Sequence, residues 1–195
     1  MKKIYLLFFV FLLSTSVFSQ SKEYSVSLFS GVFFPGSYLD YRNLKTGSNL
    51  GIEFQHYVKP ISFFAEVNYN FFGFDLPDSP DYFESTSPSS IIEINIGPRY
   101  IFGNGRFQPF IDAGAGLISE MYGSYNATYN NFNYNTGIKQ RTNFDIGLGI
   151  GSVINIKDNF DFIIKARIYS FVIGGEGGIG IQNYYGIYGG IKYNF

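Results

Sequence analysis

Large apolar residues alternate with glycine or charged residues along most of the chain. The clearest example is residues 144–151, Phe-Asp-Ile-Gly-Leu-Gly-Ile-Gly. Because successive side chains of a β-strand point to opposite faces, this segment has one large apolar face and one small or charged face. A soluble sandwich would instead carry solvated side chains on its second face. The pattern favours a narrow barrel with lipid outside and a crowded interior.

Eight segments of this kind follow one another, at residues 24–34, 49–58, 62–72, 90–102, 108–119, 142–156, 160–172 and 183–195. Most are long enough for a tilted strand to cross a bilayer, which needs about 9–11 residues. Short connections alternate with long polar ones at 35–48, 73–89, 120–141 and 173–182. We therefore predict an all-β fold, a closed antiparallel transmembrane barrel of eight strands. Ten strands are the alternative if the third long connection forms its own strand pair.

The two faces of these segments differ in charge. The predicted outer face is apolar, as at Ile92, Ile94 and Ile96. The predicted inner face holds five acidic and four basic residues, namely Glu53, Glu66, Glu93, Arg99, Asp112, Asp145, Lys165, Arg167 and Lys192. Since an unpaired buried charge is costly, this balance predicts a lumen filled by paired charges.

Aromatic residues near the segment ends are candidates for belts at the two membrane interfaces. The lower candidates, beside the short connections, are Tyr57, Tyr100, Phe102, Phe160, Tyr193 and Phe195. The upper candidates, beside the long connections, are Phe33, Phe71, Tyr122, Phe144, Tyr169, Phe171 and Tyr185.

The first residues have the form of a secretory signal. Lys2 and Lys3 precede an apolar run over residues 4–13, which is shorter than a membrane span. We predict a cleaved signal at 1–19 and a barrel domain at 20–195. Removing two of the 14 basic residues leaves 12 against 15 acidic ones, a balance that argues against a nucleic-acid partner. Without cysteine, an exported chain has no disulfide framework.

Three stretches resemble a known family. The run Gly-Pro-Arg-Tyr-Ile-Phe at 97–102, the run Pro-Phe-Ile-Asp-Ala-Gly-Ala-Gly at 109–116 and the ending Ile-Lys-Tyr-Asn-Phe are similar to small outer-membrane barrels of the outer-membrane protein A and X type. The resemblance implies an outer-membrane location and contact with outer-membrane lipids. It also implies that the last strand, with Tyr193 and Phe195, is an assembly signal read by the barrel-assembly machinery.

The sequence offers little for catalysis. His56 is the only histidine and there is no cysteine, so neither a zinc site nor most catalytic triads can be assembled. Asp75, Asp78, Asp81 and Glu84 recur in the second long connection without EF-hand spacing, which favours a solvated acidic loop over a calcium site. We predict a chain that is not an enzyme and has no cofactor and no metal.

The third long connection alternates aromatic and small polar residues, a composition suited to a binding surface. An extracellular contact loop is therefore predicted at Tyr122, Tyr125, Tyr129, Phe132 and Tyr134. The favoured function is a structural or loop-mediated interaction role in the outer membrane. The alternative is a small channel or a barrel that transports an apolar ligand, and an enzymatic barrel and a soluble lipocalin-like carrier are less favoured.

Overall fold

The computed structural model describes residues 23–36, 43–58, 61–75, 82–85, 89–122, 124–129, 132–175 and 178–195. The predicted signal at 1–19 lies outside these ranges, as do Asp78 and Asp81 of the acidic connection. Within the described ranges, no helix has the length and apolar character needed to cross a membrane.

The described residues form thirteen strands, and eight of them close into one barrel. The strands are β1 (Tyr24–Pro35), β2 (Asn43–Leu44), β3 (Gly47–Val58), β4 (Ile61–Phe72), β5 (Phe74–Asp75), β6 (Tyr82–Ser85), β7 (Ser89–Ile101), β8 (Phe107–Tyr122), β9 (Tyr125–Tyr129), β10 (Phe132–Thr136), β11 (Lys139–Lys157), β12 (Phe160–Gly175) and β13 (Gly178–Asn194).

The barrel runs in the order β1-β13-β12-β11-β8-β7-β4-β3, and β1 pairs with both β13 and β3 to close it. All its neighbouring strands are antiparallel. At the seam, Phe195 N donates to Tyr24 O at 2.9 Å. Closure leaves no unpaired edge, which stabilises an all-β chain without disulfides. The predicted eight-stranded antiparallel barrel is confirmed.

Strands β9 and β10 pair with each other, as the ten-strand alternative required, but they do not join the barrel wall. They form a separate three-stranded sheet in the order β10-β9-β6. Strand β6 comes from the second long connection and β9 with β10 from the third, so the sheet ties these two connections together. The ten-strand barrel is therefore wrong.

Several barrel strands continue beyond their predicted ends into the long connections. Strands β8 and β11 pair as far as Tyr122 with Lys139, three residues past the predicted limits on each strand. Strands β12 and β13 pair as far as Gly175 with Gly178. The extensions of β8 and β11 carry charged and polar residues such as Glu120 and Arg141, and those of β12 and β13 are rich in glycine. The backbone pairing continues through both.

The outer wall of the barrel is apolar. Leu50, Ile96 and Ile150 are 59%, 63% and 64% exposed, and their neighbours of the same parity are also exposed hydrophobic residues. Inward positions are instead buried and largely polar. A soluble protein buries its apolar face, so this barrel has the opposite polarity.

Strand parity corrects part of the predicted aromatic belts. Tyr100, Phe102, Phe160 and Tyr193 are exposed on the outer side at the lower end, and Phe71, Phe144 and Tyr185 at the upper end. Four candidates point inward, namely Tyr57, Phe33, Tyr169 and Phe171. Tyr169 and Phe171 share the parity of Lys165 and Arg167, so these four side chains project into the lumen together.

Candidate functional site

All nine charged residues predicted for the inner face are buried inside the barrel. They come from seven of the eight wall strands, β3, β4, β7, β8, β11, β12 and β13. Hydrogen bonds and ion pairs between them define how the lumen is filled.

Arg99 on β7 is the most connected of these side chains. Its Nη1 and Nη2 donate to Glu53 Oε1 and Oε2 at 2.7 and 2.8 Å, a bidentate pair. The same Nη2 donates to Asp112 Oδ2 at 2.8 Å. The guanidinium also stacks on the Phe110 ring, 4.1 Å from its centroid. Arg99 thereby joins the carboxylates of β3 and β8.

Two basic residues of β12 link these carboxylates to Glu66. Lys165 Nζ donates to Glu53 Oε2 at 3.0 Å and to Glu66 Oε2 at 2.5 Å. Arg167 pairs with Glu66 through Nη1 and with Asp112 Oδ1 through Nη2, the latter at 3.3 Å. Glu53, Arg99, Asp112, Arg167, Glu66 and Lys165 therefore form a closed circuit of six ion pairs, which we call the ion-pair ring.

The ion-pair ring crosses the full width of the barrel. Lys165 and Arg167 lie on β12, and Glu66 lies on β4, which is separated from β12 by three strands in either direction. The three cations and three carboxylates sum to zero charge. Because each ion has at least two partners of opposite sign, the cost of removing it from water is offset by its neighbours.

Neutral side chains support the ring from above and below. Tyr169 Oη donates to Glu66 Oε1 at 3.1 Å, and Asn68 Nδ2 donates to the same oxygen at 3.2 Å. The Phe29 ring lies 3.8 Å from Lys165 Nζ, and the Phe64 ring lies 4.5 Å from the Arg167 guanidinium carbon. These contacts are cation–π interactions, which strengthen when water is absent.

Three of the nine predicted residues stand outside the ring, which differs from the expectation of complete pairing. Lys192 Nζ donates to Gln55 Oε1 at 2.7 Å and to Tyr57 Oη, both neutral. Asp145 Oδ2 accepts a hydrogen bond from Asn95 Nδ2 at 2.8 Å. The carboxylate of Glu93 lies beside the neutral amide side chains of Asn68 and Asn70.

The lumen also contains two charged residues that are not among the nine predicted ones. Glu120 lies at the upper mouth, where Oε1 accepts from Tyr184 Oη at 2.5 Å and Oε2 pairs with Arg141 at 2.6 Å. Asp161 lies at the lower mouth and accepts from Asn194 Nδ2 at 2.8 Å. Glu120 was predicted to lie in a loop because the apolar alternation ends at Ser119. Asp161 has the inward parity of Lys165, and that parity could have identified it.

A cluster of hydrophobic side chains fills the lumen above the ion-pair ring. Nine buried aromatic and aliphatic residues pack together there, namely Phe29, Phe33, Phe72, Ile91, Ile118, Tyr169, Phe171, Tyr184 and Tyr188. Within this aromatic layer the Phe33 and Tyr184 ring centroids are 5.0 Å apart, and those of Phe171 and Tyr184 are 5.5 Å apart. The lumen is thus filled at two heights, by ions and by rings.

The predicted contact residues lie beyond the upper mouth. Tyr122 ends β8, Tyr125 and Tyr129 bound β9, and Phe132 and Tyr134 belong to β10. Phe132 is 70% exposed. The second and third long connections therefore present one shared β-sheet outside the barrel.

The predicted assembly residues lie at the lower rim. Tyr193 points outward from β13, and its ring centroid is 6.2 Å from that of Phe195. Phe195 also stacks on Tyr24 across the seam at 6.3 Å. His56 stacks on the other side of Tyr24 at 4.7 Å. The single histidine is therefore part of an aromatic cluster at the rim.

Metal-ligand side chains are not grouped in the part of the chain that the structure describes. No set of three or more His, Cys, Asp or Glu residues there could hold a metal ion by itself. Of the acidic connection, Asp75 ends β5 and Glu84 lies in β6.

Comparison with solved structures shows which fold this arrangement belongs to. Neisserial surface protein A superposes with a TM-score of 0.60 at 14% identity, covering 90% of this chain and 98% of that one. OprG from Pseudomonas aeruginosa gives 0.53 at 10% identity, covering 89% and 96%. A major outer membrane protein from Thermus thermophilus gives 0.52 at 12% identity, covering 88% and 99%.

The chain has the fold of the small outer-membrane barrels. No family model matches the sequence, and no curated protein matches it. At these identities the likeness is one of architecture. The side chains inside this barrel therefore have to be interpreted from their own contacts.

Removing one member of the ring tests its contribution to stability. In Arg99→Ala, Glu53 and Asp112 lose their shared partner while they remain buried, so we expect unfolding to become easier by about 3–5 kcal/mol. Arg106→Ala, an exposed arginine in the connection between β7 and β8, is the matched control and should have little effect. Urea unfolding of both variants in lipid vesicles measures the difference. Equal stabilities would show that the ring contributes nothing.

Proposed function

We propose that this chain is an integral outer-membrane protein with a structural or loop-mediated interaction role and a closed lumen. The observation that carries the proposal is the two-level filling of the interior by the ion-pair ring and the aromatic layer. A barrel filled in this way offers no continuous water path, so its function lies on its surfaces. In eight-stranded barrels generally, the interior is just wide enough for side chains to fill it.

The apolar outer wall supports the membrane location. Exposed hydrophobic residues occur on all eight barrel strands, as at Leu28, Ile52, Ile111 and Ile187. Such a wall would drive aggregation in water and is stabilised by hydrocarbon. Outer-membrane lipids are therefore the proposed partners of the wall, and a secretory signal at 1–19 would export the chain.

The β10-β9-β6 sheet supports the interaction role. Two separate connections contribute strands to it, so its surface is held in one arrangement relative to the barrel mouth. Phe132 on β10 is 70% exposed, and Ile138, in the connection from β10 to β11, is 68% exposed. Exposed aromatic and amide groups form adaptable contacts. We propose that an extracellular ligand binds at this sheet, and that the role is not enzymatic.

One observation favours the alternative, a barrel that transports a small or apolar ligand. The outer wall has a recess of about 450 Å³ around the small side chain of Ala166, lined by residues that include Leu148, Ile150 and Ile187. The lining is almost entirely apolar. The recess opens to the lipid side and not to the lumen, so transport through the barrel would still require the ring to open.

Electrical measurements separate the two functions. Because the ring and the aromatic layer fill the interior, purified wild-type protein in planar bilayers should show no stable conductance. Arg99→Ala removes a side chain that crosses the lumen and is expected to allow brief current fluctuations, whereas Arg106→Ala should stay silent. Steady single channels from the wild type would contradict the closed lumen and support the transport alternative.

The end of β13 is the proposed recognition signal for the barrel-assembly machinery. Deleting Phe195 removes a half-buried rim aromatic and two seam hydrogen bonds with Tyr24, but it leaves the ring and the aromatic layer unchanged. We expect less protein in the outer-membrane fraction of cells. Refolding in detergent should persist, as measured by the faster gel migration of unheated protein.

Phe102→Ala is the control for this deletion, because Phe102 is also an aromatic residue at the lower end but does not belong to β13. It should reach the outer membrane normally. Normal surface levels after deletion of Phe195 would refute the proposed signal.

A further inference from the structure

The connection between β7 and β8 contains the only asparagine of the chain that is followed by a glycine, Asn104 before Gly105. Residues 102–107 are all exposed, and residues 102–106 lie outside the strands. We propose that Asn104 is a site of spontaneous deamidation in the folded protein. The reaction adds a negative charge to the lower mouth of the barrel as the protein ages.

The hydrogen bonds of this connection leave the two reacting groups free. The carbonyl oxygen of Gly105 accepts a hydrogen bond from Gln108 Nε2 at 3.1 Å. The carbonyl oxygen of Arg106 accepts one from Asn155 N at 2.8 Å. The Asn104 side chain and the amide nitrogen of Gly105 take no part in the hydrogen bonds found within the described part of the chain. Both groups are therefore available to each other.

The space around Gly105 permits the close approach that the reaction needs. The amide nitrogen of the residue after an asparagine must come within bonding distance of the asparagine side-chain carbon, and a Cβ on that residue obstructs the approach. Glycine has no Cβ. A Cβ added at Gly105 would have no atom within 4 Å, so nothing packs against the backbone there.

The reaction consumes only water. The amide nitrogen of Gly105 loses its proton to water and attacks Asn104 Cγ. The new N–C bond closes a succinimide ring, and the Cγ–Nδ2 bond breaks to release ammonia, which takes up the proton. Water then adds to one of the two ring carbonyl carbons and the ring C–N bond at that carbon breaks. The product is aspartate or, when the backbone carbonyl carbon is attacked, isoaspartate.

The product would change the charge of the lower mouth. Asn104 and Tyr57 line two recesses there of about 410 and 360 Å³, which are large enough to admit water. Asp158, Asp161 and Lys157 also line the larger recess, so two acids and one base are already present. A carboxylate at position 104 would add a third acid and make this mouth more negative.

Peptide mass spectrometry measures the reaction at this residue. Trypsin cleaves after Arg99 and Arg106 and releases residues 100–106, in which Asn104 is the only asparagine. Folded wild-type protein in phosphatidylcholine vesicles, aged in mildly alkaline buffer, should gain a form of this peptide that is heavier by one dalton. An isoaspartyl methyltransferase should methylate part of that form.

The chain provides an internal control and a matched variant. The tryptic peptide 158–165 contains Asn159 in the turn between β11 and β12, where Phe160 follows, and it should keep its mass. Gly105→Ala retains Asn104 and fits the open space, and it should lose most of the heavier peptide. Gly103 is unsuitable for this purpose, because its φ of 75° lies in the left-handed region that favours glycine.

Three outcomes decide the proposal, with folding of each sample checked by the gel migration of unheated protein. Heavier peptide in the folded wild type, with much less in Gly105→Ala, supports it. Heavier peptide that forms only in chain unfolded by urea shows that the native turn protects Asn104, and it overturns the proposal. Equal amounts in the wild type and Gly105→Ala show that the Gly105 nitrogen is not the attacking group, and they also overturn it.

Discussion

Nine charged residues of this chain share the interior of an eight-stranded barrel because their strand neighbours are large, apolar and outward-facing. An antiparallel wall allows only two directions for each side chain, so an apolar outside requires that the charges point inside. Once inside, they cannot reach bulk water, and six of them, three acids and three bases, compensate one another. The ion-pair ring is the result of this constraint.

The ion-pair ring requires small residues at neighbouring inward positions. Gly149 lies beside Asp112 and Arg167 on the neighbouring strands, and an added Cβ at this position would come within 2.3 Å of Asp112 Oδ1. A side chain there would displace a ring carboxylate. Glycine on the inner face of β11 thus provides the space that Asp112 of β8 and Arg167 of β12 occupy. The same packing fills the lumen. The proposed function is therefore assigned to the outer surfaces of the protein.

Much of the fold could be predicted because the side-chain period of a strand is two. Alternation at 144–151 identified both the strand and its faces, and the lengths of the connections distinguished the two ends of the barrel. The same parity, applied strictly, would have placed Tyr169 and Phe171 in the lumen. Residue type and position along the strand favour a belt instead, although the parity of Lys165 and Arg167 indicates the inward face.

The pairing inside the lumen could not be predicted from the sequence. Lys165 meets Glu66, 99 residues away, because β12 and β4 lie opposite each other across the closed barrel. A balance of five acids and four bases does not reveal that Lys192 binds neutral Gln55 and Tyr57 while Glu93 lies beside the neutral amides of Asn68 and Asn70. These outcomes depend on the relative heights of the residues in the barrel, which strand register determines.

Single-cysteine labelling tests the inverted polarity of the barrel most directly. Leu148→Cys lies in the middle of the outer wall of β11, and Ile138→Cys is a comparably exposed position outside the barrel strands. In folded protein in lipid vesicles, a membrane-impermeant maleimide should label position 138 and leave position 148 unmodified. A lipid-soluble maleimide should label both. Rapid labelling of position 148 by the impermeant reagent would mean that water covers the apolar wall, and it would contradict the membrane-spanning barrel.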